Sequence, residues 1–162
     1  MKKISHLLIS LIFLINISAC TGYKPIFGTS NLKFKIVDYS ISGDKRLGNQ
    51  IYSKLYNFSK SNENATGAKN IYILINSSQN KNATAKNSAG KILGYRINLS
   101  TIITAKDLMT GDKILDETFS YSSTYKTQEE FFETKKLEKQ TIENLINSTH
   151  QDLIIKLSES FL

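Results

Sequence analysis

From Lys91 to Lys106 polar and apolar residues alternate. Leu93, Tyr95, Ile97, Leu99, Thr101, Ile103 and Ala105 share one parity, and Arg96, Asn98, Ser100, Thr104 and Lys106 the other, with Ile102 the exception. A period of two predicts a strand with one buried face and one wet face. The turn-forming stretch Asp107-Leu108-Met109-Thr110-Gly111-Asp112 follows, then a second strand with Leu115, Phe119 and Tyr121 on one parity. Together they predict a long antiparallel hairpin. Lys33 to Ile41 alternates as a strand, and Ser42-Gly43-Asp44 is a turn whose Ser or Asp can cap a helix. Leu47, Ile51, Leu55 and Phe58 form the apolar stripe of a helix of about four turns, ended by the polar stretch Ser59 to Ala68. Ile71 to Ile75 reads as a short buried strand, and the polar stretch Asn76 to Gly90 as an extended hairpin arm or a mobile loop.

A long C-terminal helix closes the pattern. Ile142, Ile146, Leu153, Leu157 and Phe161 form its apolar line, widened by Leu145 and Ile154. Lys135, Lys136, Lys139 and Glu143 suit its wet side. Thr127-Gln128-Glu129-Glu130 has the spacing of a capping box at its start. A stripe of this kind is more often core than a partner-helix surface. The order strand, helix, three strands, helix predicts an α+β two-layer sandwich, with two helices packed on a four-stranded, mostly antiparallel sheet.

The first nineteen residues follow a different logic. Lys2 and Lys3 precede an apolar run from Leu7 to Ile15, and Ile17-Ser18-Ala19 offers a small-residue cleavage site, so residues 1–19 read as an export signal. The run is shorter than the roughly 20 apolar residues a spanning helix needs. Cys20 is the only cysteine, so it has no internal disulfide partner. Ile17-Ser18-Ala19-Cys20 resembles the bacterial lipobox, which implies cleavage before Cys20 and acylation of it. Several acyl chains on one residue hold firmly, since each buried methylene contributes about 0.8 kcal/mol. Thr21 follows the cysteine, where Asp would favour inner-membrane retention by the rule for enteric lipoproteins, so an outer-membrane anchor is expected. The expected organisation is a signal at 1–19, a lipidated tether at 20–31 containing the only proline, Pro25, and one domain at 32–162.

Charge adds a partner class. Lys2 and Lys3 leave with the leader, taking 21 basic side chains to 19 against 14 acidic ones, a formal +5. Lysines outnumber arginines nineteen to two, whereas sequence-specific nucleic-acid readers lean on arginine. Exported chains also rarely meet nucleic acid. Anionic lipid therefore ranks first as a partner of the basic surface, although a composition rich in Lys and Asn gives the same charge with no partner at all.

Catalytic chemistry is sparse. His150 is the one histidine of the mature chain, and a lone helix histidine is far more often structural than catalytic. No second His or Cys remains for a zinc site. The chain lacks a phosphate-binding Gly-rich loop and a Gly-x-Ser-x-Gly elbow. Glu129, Glu130 and Glu133 suit a helix start without further purpose. Asp116 and Glu117 point to opposite faces of a strand. The expectation is a protein that is not an enzyme and carries no cofactor or metal.

Two motifs and their order give a resemblance. Gly22-Tyr23-Lys24-Pro25-Ile26-Phe27-Gly28 is similar to the stretch that follows the lipidated cysteine in the alphaproteobacterial branch of the lipopolysaccharide-assembly lipoprotein family, LptE, with Lys24 in place of Arg and Thr21 as one extra residue. Asp107-Leu108-Met109-Thr110-Gly111, followed by Ile114-Leu115, resembles the family's Asp-x-x-Thr-Gly hairpin turn, and the Ser/Tyr-rich stretch Phe119 to Tyr125 precedes the long helix as it does there. The resemblance spans nearly the whole chain in order, but only these two motifs are specific. It implies two helices on a four-stranded sheet, a plug in the LptD-like barrel of the lipopolysaccharide translocon, help with assembly of that barrel, and delivery of lipopolysaccharide to the outer leaflet. Lipopolysaccharide is anionic, so Lys91, Arg96 and Lys106 on the wet side of the best strand are the candidate contacts. The alternative is an accessory periplasmic lipoprotein of a lipid-transport ABC system.

Overall fold

The structure is a computed structural model that describes residues 32–61 and 67–161. Its elements run β1 (Phe34–Gly43), α1 (Lys45–Ser61), β2 (Lys69–Lys86), β3 (Ile92–Asp107), β4 (Lys113–Lys126) and α2 (Phe131–Ser160). The strands lie in the order β1-β2-β3-β4 in one open sheet. β1 and β2 are parallel across the α1 crossover, and the other two pairs are antiparallel. Both helices cover one face. This is the predicted α+β two-layer arrangement.

Residues two apart on each strand supply the floor of the core. Phe34 and Ile36 of β1, Ile71, Ile73 and Ile75 of β2, and Ile97, Leu99, Ile103 and Ala105 of β3 are buried, as are Leu115, Phe119 and Tyr125 of β4. Leu47, Ile51 and Leu55 of α1 and Leu145, Ile146, Leu153 and Leu157 of α2 close it from above. Each such side chain contributes roughly 1.5–3 kcal/mol on leaving water. The helix starts differ in how they are held. Asp44 caps α1: its Oδ1 accepts from the amides of Arg46 at 3.0 Å and Leu47 at 3.1 Å. Gly43 makes the preceding turn possible with φ +71°, where a Cβ would lie 2.2 Å from the Ser77 carbonyl oxygen.

Three expectations change. The capping box at Thr127 does not form. α2 begins at Phe131 with Glu130 as an N-cap whose side chain makes no capping bond. The sheet takes Thr127 first: its amide donates to the Leu93 carbonyl at 3.0 Å and its hydroxyl to the Ile92 carbonyl at 3.0 Å. The Ile71–Ile75 run is part of an 18-residue strand, β2, buried on one side only, with Tyr72 and Leu74 half-buried on the other. The polar stretch Asn76 to Gly90 is thus the hairpin arm: β2 continues to Lys86 and pairs with β3 throughout. Leu93 shares the apolar parity yet is exposed, because β2 shifts register opposite it, between Ala83 and Lys86. Gly94 is buried in its place, with the Thr84 hydroxyl and Tyr125 carbonyl so close that a Cβ would sit 3.0 and 3.2 Å from them.

Candidate functional site

Among the described residues nothing covers the face of the sheet turned away from the helices, and pairing aligns its side chains in rows across β2, β3 and β4. Asn76, Ile102 and Thr118 form one row, Ser78, Ser100 and Ser120 the next, then Asn80, Asn98 and Ser122, then Asn82, Arg96 and Thr124. The first three of these rows carry no charge. The Ser100 and Ser120 hydroxyls lie 3.4 Å apart across the ladder. Ile102, 44% exposed, is the apolar exception that the alternation showed.

Charge gathers at the two ends. At one end Lys106 is aligned with Tyr72 and Lys113. There the Lys113 ammonium donates to Asp116 at 2.6 Å and the Thr104 hydroxyl donates to it at 2.9 Å, and these bonds hold the Asp116 carboxyl below the usual range. At the other end Arg96 sits opposite Asn82 and Thr124, and Lys91 lies in the hairpin tip. Ten residues along a strand separate Arg96 from Lys106, roughly 33 Å. The three candidate contacts are all exposed, but the structure splits them between the two ends. Cys20 lies outside the described residues, as does the Gly22–Gly28 stretch.

The hairpin tip and the Asp107 turn are both held by side-chain-to-backbone hydrogen bonds. Asn87 Oδ1 accepts from the Ala89 amide at 3.1 Å and the Lys91 amide at 2.8 Å, and Gly90 takes φ +80°. Asp107 Oδ1 accepts from the Met109 amide at 2.8 Å, Thr110 Oγ1 from the Asp112 amide at 3.2 Å, and Gly111 takes φ +78°. The Asp-x-x-Thr-Gly motif is therefore a turn device, with each named residue satisfying or permitting the backbone.

Beside the arm lies a cluster the sequence did not reveal. Lys81 of β2 reaches Glu138 of α2 at 2.9 Å, and Lys135 reaches the same carboxylate at 3.0 Å. The Lys81 ammonium lies 4.2 Å from the Tyr95 ring centroid and 5.6 Å from that of Tyr125. Partial burial works against both charges, but their attraction prevails. Lys81 is raised by Tyr125 and Glu138, and Glu138 is lowered by Lys81 and Lys135. Burial is the first cause raising Tyr125, whose enclosed hydroxyl faces the Lys81 ammonium and the Glu138 carboxylate. On β4 the Tyr121 hydroxyl donates to Asp152, and burial first, then that carboxylate, pushes it up to about 12. Phe131 and Phe132 also escaped the periodicity reading. They sit in the first turn of α2, 76% and 71% exposed, and their one signal is two adjacent aromatics off the apolar stripe.

Among the described residues no three His, Cys, Asp or Glu side chains are grouped to hold a metal ion, and no helix is long and apolar enough to cross a membrane. His150 lies between the helices, its ring centroid 6.4 Å from that of Phe58, with Nε2 buried and without a hydrogen-bond partner among the described residues. No family model and no curated protein matches the sequence. Solved structures do match. A lipoprotein from Caulobacter crescentus aligns with TM-score 0.53 at 13% identity over 82% of this chain and 90% of its own. A minor lipoprotein from Acinetobacter baumannii gives 0.54 at 13% over 78% and 92%, and lipoprotein B from Nitrosomonas europaea gives 0.59 at 14% over 85% and 91%. The chain has the fold of these lipoproteins. At such identities the likeness is one of fold.

Proposed function

We propose that the chain is an outer-membrane lipoprotein, acylated on Cys20 on the periplasmic side, that plugs an LptD-like barrel and helps it assemble and pass lipopolysaccharide to the outer leaflet. The observation that carries this reading is the pairing of a lipobox, Ile17 to Cys20, with a fold shared with bacterial lipoproteins. The open sheet face supports it. Its neutral rows of Ser, Asn and Thr would expose polar side chains to the polar lumen of a wide barrel. The work is binding and scaffolding, with no bond made or broken.

Barrel and ligand contacts should separate by salt. A plug would share a large buried surface with its barrel, and that complex should survive 1 M salt. Lipopolysaccharide would be met partly by exposed Lys91, Arg96 and Lys106, so that contact should fade as the Debye length falls from about 10 Å at 0.1 M to about 3 Å at 1 M. Co-purification from detergent-solubilised membranes tests the partner, and surface plasmon resonance with the Lys91→Ser, Arg96→Ser, Lys106→Ser triple variant tests the ligand contact. Parent-like binding by the triple variant would place the lipopolysaccharide contact elsewhere. Recovery of an ABC transporter instead of a barrel would replace this reading with the transporter-accessory one.

A further inference from the structure

β1 and β4 are the two edges of the sheet, and only β1 is interrupted. A register shift between Ile36 and Asp38 breaks it, an irregularity that blunts an edge against further pairing. β4 runs without a shift from Leu115 to Lys126 and contains no proline. Among the described residues it pairs with β3 alone, so every second residue directs its N–H and C=O outward, away from the ladder. α2 lies beside that edge. Between them runs a groove of about 460 Å³, with residues 117–121 of β4 as one wall and Asp152, Ile155, Lys156 and Glu159 of α2 as the other. We propose that this groove accepts an extended basic segment of another polypeptide, which adds to the sheet beside β4 with its inward side chains against α2. The proposal rests on the groove alone and does not depend on the barrel partner.

Backbone, apolar contact and charge agree on that occupant. Strand addition draws affinity from main-chain hydrogen bonds and specificity from alternate side chains. The strand wall of the groove offers roughly 17 Å of edge. Ile155, 41% exposed, supplies an accessible apolar contact on the helical wall. Acids surround it. Asp152 and Glu159 lie one turn to either side on the same helix face, and Glu117 stands on β4. Lys156 is the one cation of the lining. Its ammonium bonds Glu159 at 2.9 Å and is held above its ordinary value by Glu159 first, with Glu117 and Asp152 pulling the same way. Three carboxylates therefore bear on one ammonium, and the groove keeps a negative excess that a basic strand would match. Asp152 also accepts from the Tyr121 hydroxyl, which ties α2 to β4 across the groove. Other occupants fit worse. A second copy would set two acidic grooves against each other. The chain's own tether leaves from β1, at the opposite edge, and Pro25 removes one of its amides.

The test adds a synthetic peptide, Thr-Lys-Thr-Val-Thr-Lys-Thr blocked at both ends, to the full-length lipidated protein in phosphatidylcholine nanodiscs. Its two Lys and its Val share one face of a strand, basic at the ends and apolar in the middle. Calorimetry reads affinity, and hydrogen exchange reads the place. Binding should slow exchange at 117–121 and leave 34–43 of β1 unchanged. Two N-methylated copies test the backbone pairing, one methylated on Lys and Val, the other on the two central Thr. Only one of these sets of amides can face β4, so one copy should lose roughly ten-fold or more in affinity while the other keeps it. Glu117→Lys with Glu159→Lys, both on the surface, should weaken the parent peptide roughly ten-fold while thermal melting stays unchanged. Ile155→Ser should weaken it too. If the charge variant misfolds, the N-methylated copies still decide. Absence of binding, equal affinity for the two N-methylated copies, parent-like binding by the folded charge variant, or protection that appears on β1 would overturn the proposal. So would a photoreactive benzoylphenylalanine at Ile155 that, without peptide, crosslinks to residues 20–31 or to a second copy, because the groove would then have another occupant.

Discussion

Leu99 and Asn98 are neighbours in sequence and lie on opposite faces of β3. Leu99 is 2% exposed in the core, whereas Asn98 stands half-buried in the open polar face. Leu99→Asp should cost about 4 kcal/mol or more, since an unpaired carboxylate would have to be buried or the strand displaced. Asn98→Asp should stay within about 1 kcal/mol, and equal shifts in paired urea titrations would refute the face assignment. This contrast was legible in the sequence because a strand's period is two. The surroundings of His150 were not, because Phe58 and Lys54 reach it from another helix. Burial first, then Lys54, holds its imidazole below the ordinary histidine value, with the Lys54 backbone pulling weakly the other way. Facing it are the Lys54 charge and the uncharged Phe58 ring. The folded state resists protonation, so between the depressed value and the ordinary one near 6.5 the unfolded chain binds more protons. Stability should therefore fall as pH drops below about 6.5 and level off below the folded value. His150→Phe should remove that slope from a melting series between about pH 5 and pH 8, and an unchanged slope would exclude His150 as its source.

Elements joined by local chemistry could be read in advance, and elements joined across the fold could not. The Asp107 turn was visible because its Asp, Thr and Gly act within six residues. The capping-box spacing misleads because Thr127 has two possible uses, and sheet pairing to Ile92 and Leu93 takes precedence over the helix start. The polar arm admits two readings from sequence because Asn and Ser give no period-two contrast when one face is neutral and the other only partly covered. What helps hold the arm against α2 is Lys81, a lysine with no local signal, reaching Glu138 57 residues away. Lys81→Ala should loosen the outer arm without unfolding the domain. Amides of 81–86 and 92–96 should exchange roughly ten-fold faster, those of Ile73 and Ile103 should keep their protection, and Lys81→Arg should restore most of the loss. Uniform acceleration across the sheet would mean that the salt bridge supports the whole domain instead.

The parallel pairing of β1 with β2 determines which end of the molecule the tether leaves from. Phe34 lies opposite Lys69 at the start of β2, and the Leu108 amide donates to Asn70 at 2.9 Å, so chain entry and the Asp107 turn share one end. The hairpin tip at 87–91 lies at the far end of the 18-residue β2, roughly 60 Å away. Twelve tether residues reach at most about 40 Å. If Cys20 is acylated, the entry end stays close to the bilayer while the tip is free to stand well beyond it. The entry end is also suited to a membrane surface: Met109 is 86% exposed and Leu108 is exposed beside it, with Lys106 and Lys113 flanking the turn. An exposed Leu-Met tip gains from burial in the interface, while Asp107, Asp112 and Asp116 offset the charge of Lys106 and Lys113. Since Cys20 is the only cysteine and its thiol would carry lipid, a cysteine introduced elsewhere is the one reactive thiol. A fluorophore on Met109→Cys should therefore transfer energy to a headgroup acceptor more efficiently than one on Ser88→Cys, in vesicles containing phosphatidylglycerol. The gap should persist when those vesicles are replaced by phosphatidylcholine alone, because the anchor and the apolar tip, and not net charge, set the orientation. Equal transfer from both positions in phosphatidylglycerol would show the domain lying flat, and stronger transfer from Ser88→Cys would reverse the orientation and cast doubt on the anchor at Cys20.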